Sequence, residues 1–150
     1  MTFAEFDLAA PEAVEALGAA VARALQPGEA VCLSGPLGAG KTTLARGLIR
    51  ALTRPDEEIP SPTFTLVQLY EGEQFPIAHF DLYRLDRPEE AEELGLGEAL
   101  EEGAAVIEWS ERLQGRLPED RLDIALSIEE DGRRARLSGH GRWEGRRIEF

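Results

Sequence analysis

Nine consecutive residues, GPLGAGKTT at positions 35–43, fit the pattern G-x-x-x-x-G-K-[ST] of a phosphate-binding P-loop. Glycines let the backbone of such a loop curl so that successive N–H groups point inward and form a nest for an anion. The lysine of the pattern contacts the β- and γ-phosphates, and the hydroxyl after it binds Mg²⁺. We assign these roles to Lys41 and Thr42. Further phosphate contacts are predicted from Gly35, Gly38, Ala39, Gly40 and Thr43, the last of them at the α-phosphate.

The residues on either side of the loop supply the strand and the helix that this motif requires. Ala30–Ser34 is a short apolar run that predicts a buried strand, and apolar residues recur at helical spacing after the loop. The lysine itself is informative, because Lys41 is the one lysine among 16 basic residues. A planar arginine fork does not replace a compact ammonium between phosphates without changing the geometry. The sequence therefore predicts that the protein binds a nucleoside triphosphate.

Two carboxylates stand at the ends of predicted apolar strands and are candidates for binding Mg²⁺ or activating water. Ligands of parallel sheets bind at the carboxyl ends of the strands. Asp81 ends the run PIAHFD, where P-loop proteins place a carboxylate that supports Mg²⁺. Glu108 ends the run AAVIE and is followed by Trp109; its carboxylate is a candidate to orient or deprotonate the attacking water. The alternatives are a strand-end turn or cap for Asp81, a strand-end charge for Glu108 and a core anchor for Trp109.

Two further features have weaker signals. Ser61 and Thr63 flank a proline ahead of a predicted strand, which suits a switch loop that senses the γ-phosphate through Mg²⁺ and equally suits an ordinary turn. We interpret His79 as a packing residue rather than a ligand, because no second histidine or cysteine cluster accompanies it.

The remaining pattern predicts one α/β domain over residues 1–150. Strands are predicted at 3–8, 63–70, 75–81, 104–107 and 122–128, with one or two more within 133–150, and the second and third are expected to form an antiparallel hairpin. Helices are predicted from Pro11 to Leu25, after the P-loop, and from about Pro88. We expect a three-layer, P-loop NTPase-like fold, whose mixed sheet has parallel core strands and antiparallel C-terminal strands.

Charge and cysteine content limit the class of function. The net charge of −13 argues against a chain that grips nucleic acid alone, because phosphate contacts supply most of that affinity. The single cysteine, Cys32, forms no internal disulfide and is expected to be a small buried hydrophobe. No secretory signal or membrane-spanning run is recognised in the sequence, so we expect a cytoplasmic protein without membrane contact.

Taken as a set, GPLGAGKTT, SPTFTLV, HFDLYRL and IEW, in this order, resemble the bacterial TsaE family of small ATPases, which are required to make threonylcarbamoyladenosine on tRNA. The likeness runs from Ala30 to Trp109. Typical members have Asp after the first P-loop glycine and Pro after the tryptophan, where this chain has Pro36 and Ser110.

The resemblance implies that Lys41 and Thr42 hold phosphate and Mg²⁺, and that Asp81 supports the metal. It further implies that Ser61 and Thr63 belong to a switch-like loop, and that Glu108 and Trp109 complete an ATPase site. It assigns the threonylcarbamoyl transfer to a TsaD–TsaB pair, on which this chain would dock and which it would reset by hydrolysing ATP. Contact with tRNA would then be indirect, through the partners.

Three functions stay open at this point: a partner-activated ATPase, a small-molecule or nucleoside kinase, and a non-catalytic ATP-binding switch. A guanine-reading Asn-Lys-x-Asp loop is impossible because the lysine is already in the P-loop, so adenine is the expected base. No residue is clearly a built-in arginine finger, which predicts slow hydrolysis by the chain alone.

Overall fold

The structure is a computed structural model that describes residues 2–60 and 66–150. Seven strands form one sheet in the order β1-β7-β6-β2-β5-β4-β3. The strands are β1 (Thr2–Leu8), β2 (Ala30–Ser34), β3 (Val67–Glu71), β4 (Pro76–Asp81), β5 (Ala104–Glu108), β6 (Arg121–Glu129) and β7 (Gly132–His140). The helices are α1 (Pro11–Ala24), α2 (Lys41–Leu52), α3 (Glu90–Glu93) and α4 (Leu96–Glu102), with short 3-10 turns at Ser110–Leu113 and Gly141–Trp143.

Four neighbouring strands form the parallel core. β2 pairs in parallel with β5 on one side and β6 on the other, and β5 pairs in parallel with β4. The strands outside this core are antiparallel to their neighbours: β7 on β6, β1 on β7, and β3 on β4. The mixed sheet with a parallel centre is therefore confirmed.

The side chains of the central strands point alternately to the two faces of the sheet, because successive residues of a strand face opposite sides. They therefore pack into two separate cores. Val31 and Leu33 of β2 join the larger core beneath α1 and α2. Ala30 and Cys32 join a smaller core with residues of β4, β5, α4 and the 3-10 turn after β5. The sheet is thus covered on both faces, which confirms the three layers. Cys32 is buried as expected, and burial raises the pKa of its thiol.

Helices α1 and α2 touch through glycines. A Cβ placed on Gly18 would lie 2.3 Å from the carbonyl oxygen of Leu44, and one on Gly47 would lie 2.2 Å from that of Glu15. Side chains at these two positions would force the helices apart, because real Cβ atoms do not approach a carbonyl oxygen so closely. Backbone contact between α1 and α2 therefore fixes the position of the helix that begins at Lys41.

Several boundaries differ from the predicted ones. The second predicted strand, 63–70, is a strand over Val67–Glu71 within the described residues, and Leu66 before it has a φ of +66°. Of the one or two strands predicted in the tail, the structure has one, β7, because the chain turns at Gly141 into a 3-10 turn that buries Trp143. Gly95, with a φ of +96°, divides the third predicted helix into α3 and α4. Within the part of the chain that the structure describes, no helix is long and apolar enough to cross a membrane.

Candidate functional site

The P-loop links the carboxyl end of β2 to the first residue of α2. Gly35, Gly38 and Gly40 have φ values of +134°, +83° and +108°, in the range that side chains disfavour. These angles turn the backbone back on itself, and the N–H of Ala39 donates to the carbonyl of Pro36 at 3.1 Å. The first N–H groups of a helix have no partner within it, and they sit at the positive end of the helix dipole. Residues 35–43 therefore form a cradle suited to phosphate.

Lys41 is 5% exposed and its ammonium lies inside this cradle. Nζ donates to the carbonyl oxygens of Gly35 at 2.5 Å and Pro36 at 3.0 Å, and it lies 3.8 Å from the centre of the Trp109 ring. Burial lowers the pKa of Lys41, and the nearby carboxylates, Glu111 foremost, partly oppose this effect. The ammonium thus faces neutral carbonyls and an aromatic face in a partly dehydrated position, where a phosphate would compete strongly for it.

Thr42 of α2, Glu108 of β5 and His79 of β4 form a continuous chain of hydrogen bonds across three elements. The hydroxyl of Thr42 donates to Oε1 of Glu108 at 2.7 Å, and Nε2 of His79 lies 2.6 Å from Oε2 of the same carboxylate. Glu108 is 2% exposed and His79 is fully buried. Glu108 therefore contacts the hydroxyl to which the sequence assigns Mg²⁺.

Asp81 lies directly opposite Glu108 in the register of β4 and β5. Its Oδ1 accepts the backbone N–H of Tyr83 at 3.0 Å. Burial raises the pKa of Asp81, the bond from Tyr83 lowers it, and the charge of Glu108 raises it further. Two carboxylates in neighbouring positions at the carboxyl ends of parallel strands form an acidic pair next to the P-loop, which is chemistry suited to a divalent cation.

Trp109 forms the wall of the site after Glu108. Its backbone is left-handed, with a φ of +59°, and this sharp bend returns the ring over Lys41 while Ser110 starts the 3-10 turn. The Tyr83 ring packs at 4.8 Å from the Trp109 ring, and the guanidinium of Arg112 lies 5.8 Å from the Tyr83 ring. Ser110, which departs from the family pattern, thus occupies a buried turn behind the tryptophan.

These groups line one open cleft of about 360 Å³ at the carboxyl edge of the sheet. Most of the predicted site residues meet there, namely Gly38, Gly40, Lys41, Thr42, Thr43, Asp81, Glu108 and Trp109, together with Leu37, Tyr83 and Arg84. Gly35 and Ala39 lie behind the cleft, in the fold of the loop. Ser61 and Thr63 lie outside the described residues, so their predicted roles stay predictions.

Sequence reasoning missed three residues at this site. His79 contacts Glu108 as well as packing in the core, and Glu111 accepts the N–H of Gly35 at 3.4 Å. Arg133, the second residue of β7, donates to the carbonyl of Gly38 at 3.1 Å. The sequence did contain a signal for the histidine. His79 precedes Asp81 by two residues on one predicted strand, so alternation along the strand places the two side chains on one face of the sheet.

No group of three or more His, Cys, Asp or Glu within residues 2–60 and 66–150 is arranged to hold a metal ion by itself. Mg²⁺ commonly binds through one or two carboxylates, waters and substrate phosphates rather than in a cage made of protein alone. Thr42, Glu108 and Asp81 are of the chemistry that this kind of site uses.

Comparisons with known proteins give a single family. The family model "Threonylcarbamoyl adenosine biosynthesis protein TsaE" matches residues 8–136. The chain is 44% identical over 115 residues to a tRNA threonylcarbamoyladenosine biosynthesis protein TsaE of Rickettsia bellii, covering 77% of this chain and 80% of the relative. It is 36% identical over 127 residues to the protein of that name from Bacillus subtilis, covering 83% of this chain and 77% of the relative. The crystal structure of Bacillus subtilis YdiB superposes with a TM-score of 0.79 and 30% identity, over 96% of this chain and 91% of that one.

Proposed function

The chain belongs to the TsaE family, and we propose that it is an Mg²⁺-dependent ATPase of tRNA threonylcarbamoyladenosine biosynthesis. In this proposal it docks on a TsaD–TsaB pair and hydrolyses ATP to ADP and phosphate, which resets that complex between turnovers. The family match supplies the pathway. The proposed reaction rests on the geometry of the cleft.

One observation carries the proposal: the Thr42 hydroxyl donates to Glu108 at the mouth of a glycine cradle that also holds a buried ammonium. A hydroxyl that donates its proton to a carboxylate keeps its oxygen lone pairs free for a cation. Lys41 is desolvated without a carboxylate within ion-pair distance among the described residues, so a phosphate there would gain a full charge partner. The residues therefore fit Mg-ATP, with Thr42 and the two carboxylates around the metal.

The protein's own groups would act chiefly by positioning and by charge. Mg²⁺, which Thr42, Asp81 and Glu108 would hold, would neutralise negative charge on the phosphates. The P-loop N–H groups and Lys41 bind the phosphates, and Trp109 excludes water from the ammonium. Glu108 accepts hydrogen bonds on both oxygens and retains further lone pairs, so it can orient an attacking water, while Asp81 adds the second negative charge beside the metal.

A second, smaller groove suits the nucleoside. It has a volume of about 150 Å³ and lies beside Thr43, between the P-loop, the connection from β1 to α1, and the first residues of β7, where Arg133 lies. Its walls combine apolar contact area, such as that of Ala9, Ala10 and Pro11, with the polar side chains of Thr43 and Arg133. Because most of the lining is apolar, we expect modest discrimination between adenine and other bases.

Partner docking is supported by the surroundings of the cleft. Leu37 in the P-loop is 77% exposed and Tyr83 at the cleft wall is 44% exposed, which leaves apolar surface at the nucleotide entrance. The net charge of −13 suits a division of labour in which the partners hold tRNA. A cytoplasmic location stays a prediction that agrees with this role.

An ATPase assay on the purified protein, alone and with TsaD–TsaB, tests the proposal. We expect slow hydrolysis by the chain alone and a marked rise when the pair is added, with ADP and inorganic phosphate as products. Transfer of phosphate to a nucleoside or metabolite would replace the proposal with a kinase. ATP binding without hydrolysis, both by the protein alone and with TsaD–TsaB, would replace the proposed ATPase with a switch module.

A further inference from the structure

The imidazole of His79 is fully buried within β4 and makes one polar contact among the described residues. Nε2 lies 2.6 Å from Oε2 of Glu108, and Nδ1 has no hydrogen-bond partner within residues 2–60 and 66–150. The neighbouring strand positions that face the same core, such as Ile77 and Val106, are aliphatic. Burying a polar ring among such residues costs free energy unless the ring makes a needed hydrogen bond. The contact with Glu108 is therefore the reason for a histidine at this position.

The contact also identifies the tautomer. A hydrogen on Nε2 donates to Glu108 and leaves Nδ1 as a bare acceptor, which is the cheaper group to leave unpaired. A hydrogen on Nδ1 would leave a buried donor without an acceptor and would set the Nε2 lone pair against a carboxylate oxygen. The hydrogen-bond network thus assigns the Nε2–H form to His79.

We propose that His79 is a positioning residue that fixes the carboxylate of Glu108 for its work at the phosphates. The terminal torsion of a glutamate is broad, so a carboxylate held at one oxygen alone can turn. The bond from Nε2–H holds Oε2, and Oε1 then stays directed at the Thr42 hydroxyl, 2.7 Å away. This inference rests on the proposed ATPase function, because it gives a role in that reaction to a residue that touches neither nucleotide nor metal.

Two amide variants separate positioning from packing. In His79→Gln the side-chain nitrogen reaches about as far from the backbone as Nε2 does, so it can still donate to Glu108. His79→Asn introduces the same amide group on a side chain that is one carbon shorter. Its nitrogen therefore corresponds in position to Nδ1 and does not reach Glu108. The pair therefore changes the reach of the donor while keeping its type.

We expect His79→Asn to lower kcat for ATP hydrolysis with TsaD–TsaB about 10–100-fold, as loss of an orienting hydrogen bond behind a ligand does. The KM for Mg-ATP should change little, and His79→Gln should keep most of the parental kcat. Equal losses in the two variants, or a loss confined to KM, would overturn the proposal. A parent that hydrolyses no ATP in either company would instead overturn the proposed function.

Imidazole nitrogen NMR on the intact protein gives a readout that needs no activity. The chain has two histidines, so His140→Gln suffices to assign the spectrum. We expect His79 as the Nε2–H tautomer, with its Nε2 resonance moved by Glu108→Gln while that of His140 stays in place. A Nδ1–H tautomer, or a His79 resonance that ignores the Glu108 substitution, would overturn the inference even if both His79 variants failed to fold.

Discussion

The two ends of the central strand β2 both bury charge, and they treat it in opposite ways. Glu29 precedes the amino end of the strand and is fully buried. Arg146 holds it with two parallel bonds of 2.6 and 2.9 Å, and the N–H of Gln26 adds a third at 3.0 Å. The same guanidinium lies 4.4 Å from the Trp143 ring. This clasp joins the C-terminal segment to the sheet and leaves little for a ligand to satisfy.

At the carboxyl end the buried charges are gathered but incompletely paired. Lys41 contacts carbonyl oxygens and an aromatic ring, and Asp81 and Glu108 lie side by side. Burial shifts the pKa of Lys41 downward and that of Asp81 upward, so each is held where its charged form is disfavoured. The comparison teaches that the fold depends on a buried charge keeping its partner, whereas an under-paired buried charge marks a candidate place for a ligand that supplies the missing charge.

Removal of the ammonium should have the largest effect. Lys41→Ala is expected to lower ATP turnover about 10³-fold, because a preorganised charge at the phosphates is lost. The free energy of unfolding should not fall, because the deleted charge is a desolvated one without a carboxylate partner. Turnover by stopped-flow phosphate release and unfolding by urea measure the two quantities. Mg-ATP affinity and activity equal to those of the parent would refute the site assignment.

A substitution in the Glu29–Arg146 pair, at the amino end of β2, should have the opposite effect: it should lower stability and leave ATP turnover unchanged. Arg146→Met removes both short bonds to the buried Glu29 and leaves it the longer contact with Arg142, at 3.7 Å, and the N–H of Gln26. The change is expected to cost about 3 kcal/mol of unfolding free energy, or about 10 °C in Tm. ATP turnover measured well below the new Tm should stay near that of the parent. The matched control is the double variant Glu29→Gln/Arg146→Met, which removes both charges and should recover much of the lost stability. A clasp variant as stable as the parent would show that the comparison is mistaken.

Glu108→Gln tests the role of this carboxylate in hydrolysis with little change in the shape of the cleft. The amide keeps one oxygen for the Thr42 hydroxyl and removes the negative charge and the proton acceptor. We expect kcat to fall about 100-fold, the smaller effect typical of losing a general base or a water-orienting group. Nucleotide affinity, measured by calorimetry, should stay close to that of the parent. Loss of binding in this variant would make Glu108 a structural residue.

Asp81→Asn should give the smallest change in stability, and its sign is positive. Because the pKa of Asp81 is raised in the folded protein, the folded state binds the carboxyl proton more tightly than the unfolded chain does. At neutral pH the carboxyl is ionised, so the buried charge lowers the free energy of unfolding. We expect a rise in Tm of about 1–2 °C at neutral pH, since water still screens part of the charge. The gain should shrink as the pH falls through the raised pKa and vanish below 3.8, the ordinary carboxyl value. ATP turnover by this variant should fall.

Local patterns were enough to predict the P-loop, the strand and helix on either side of it, and the parallel centre of the sheet. They also brought Asp81 and Glu108 to one edge, because carboxyl ends of parallel strands meet there. In each case the information lies within a dozen residues of sequence. The TsaE resemblance then joined these pieces into one family.

Contacts between distant segments could not be predicted in the same way. Glu29 and Arg146 are 117 residues apart, and nothing near either residue in the sequence indicates its partner. Arg133 reaches Gly38 because β6 lies beside β2, a strand order that periodicity does not determine. The tight bend at Trp109, where φ is positive without a glycine, likewise depends on the ring contacts that hold it.

The glycine contact between α1 and α2 has a consequence for how the protein would respond to the proposed nucleotide. With carbonyl oxygens of one helix pressed against bare Cα atoms of the other, neither helix can slide or roll without a backbone collision. We therefore expect the two helices to move together, so that a displacement of Lys41 and Thr42 by a bound phosphate would be passed on to α1. A partner resting on that helix would sense the state of a nucleotide that it never touches.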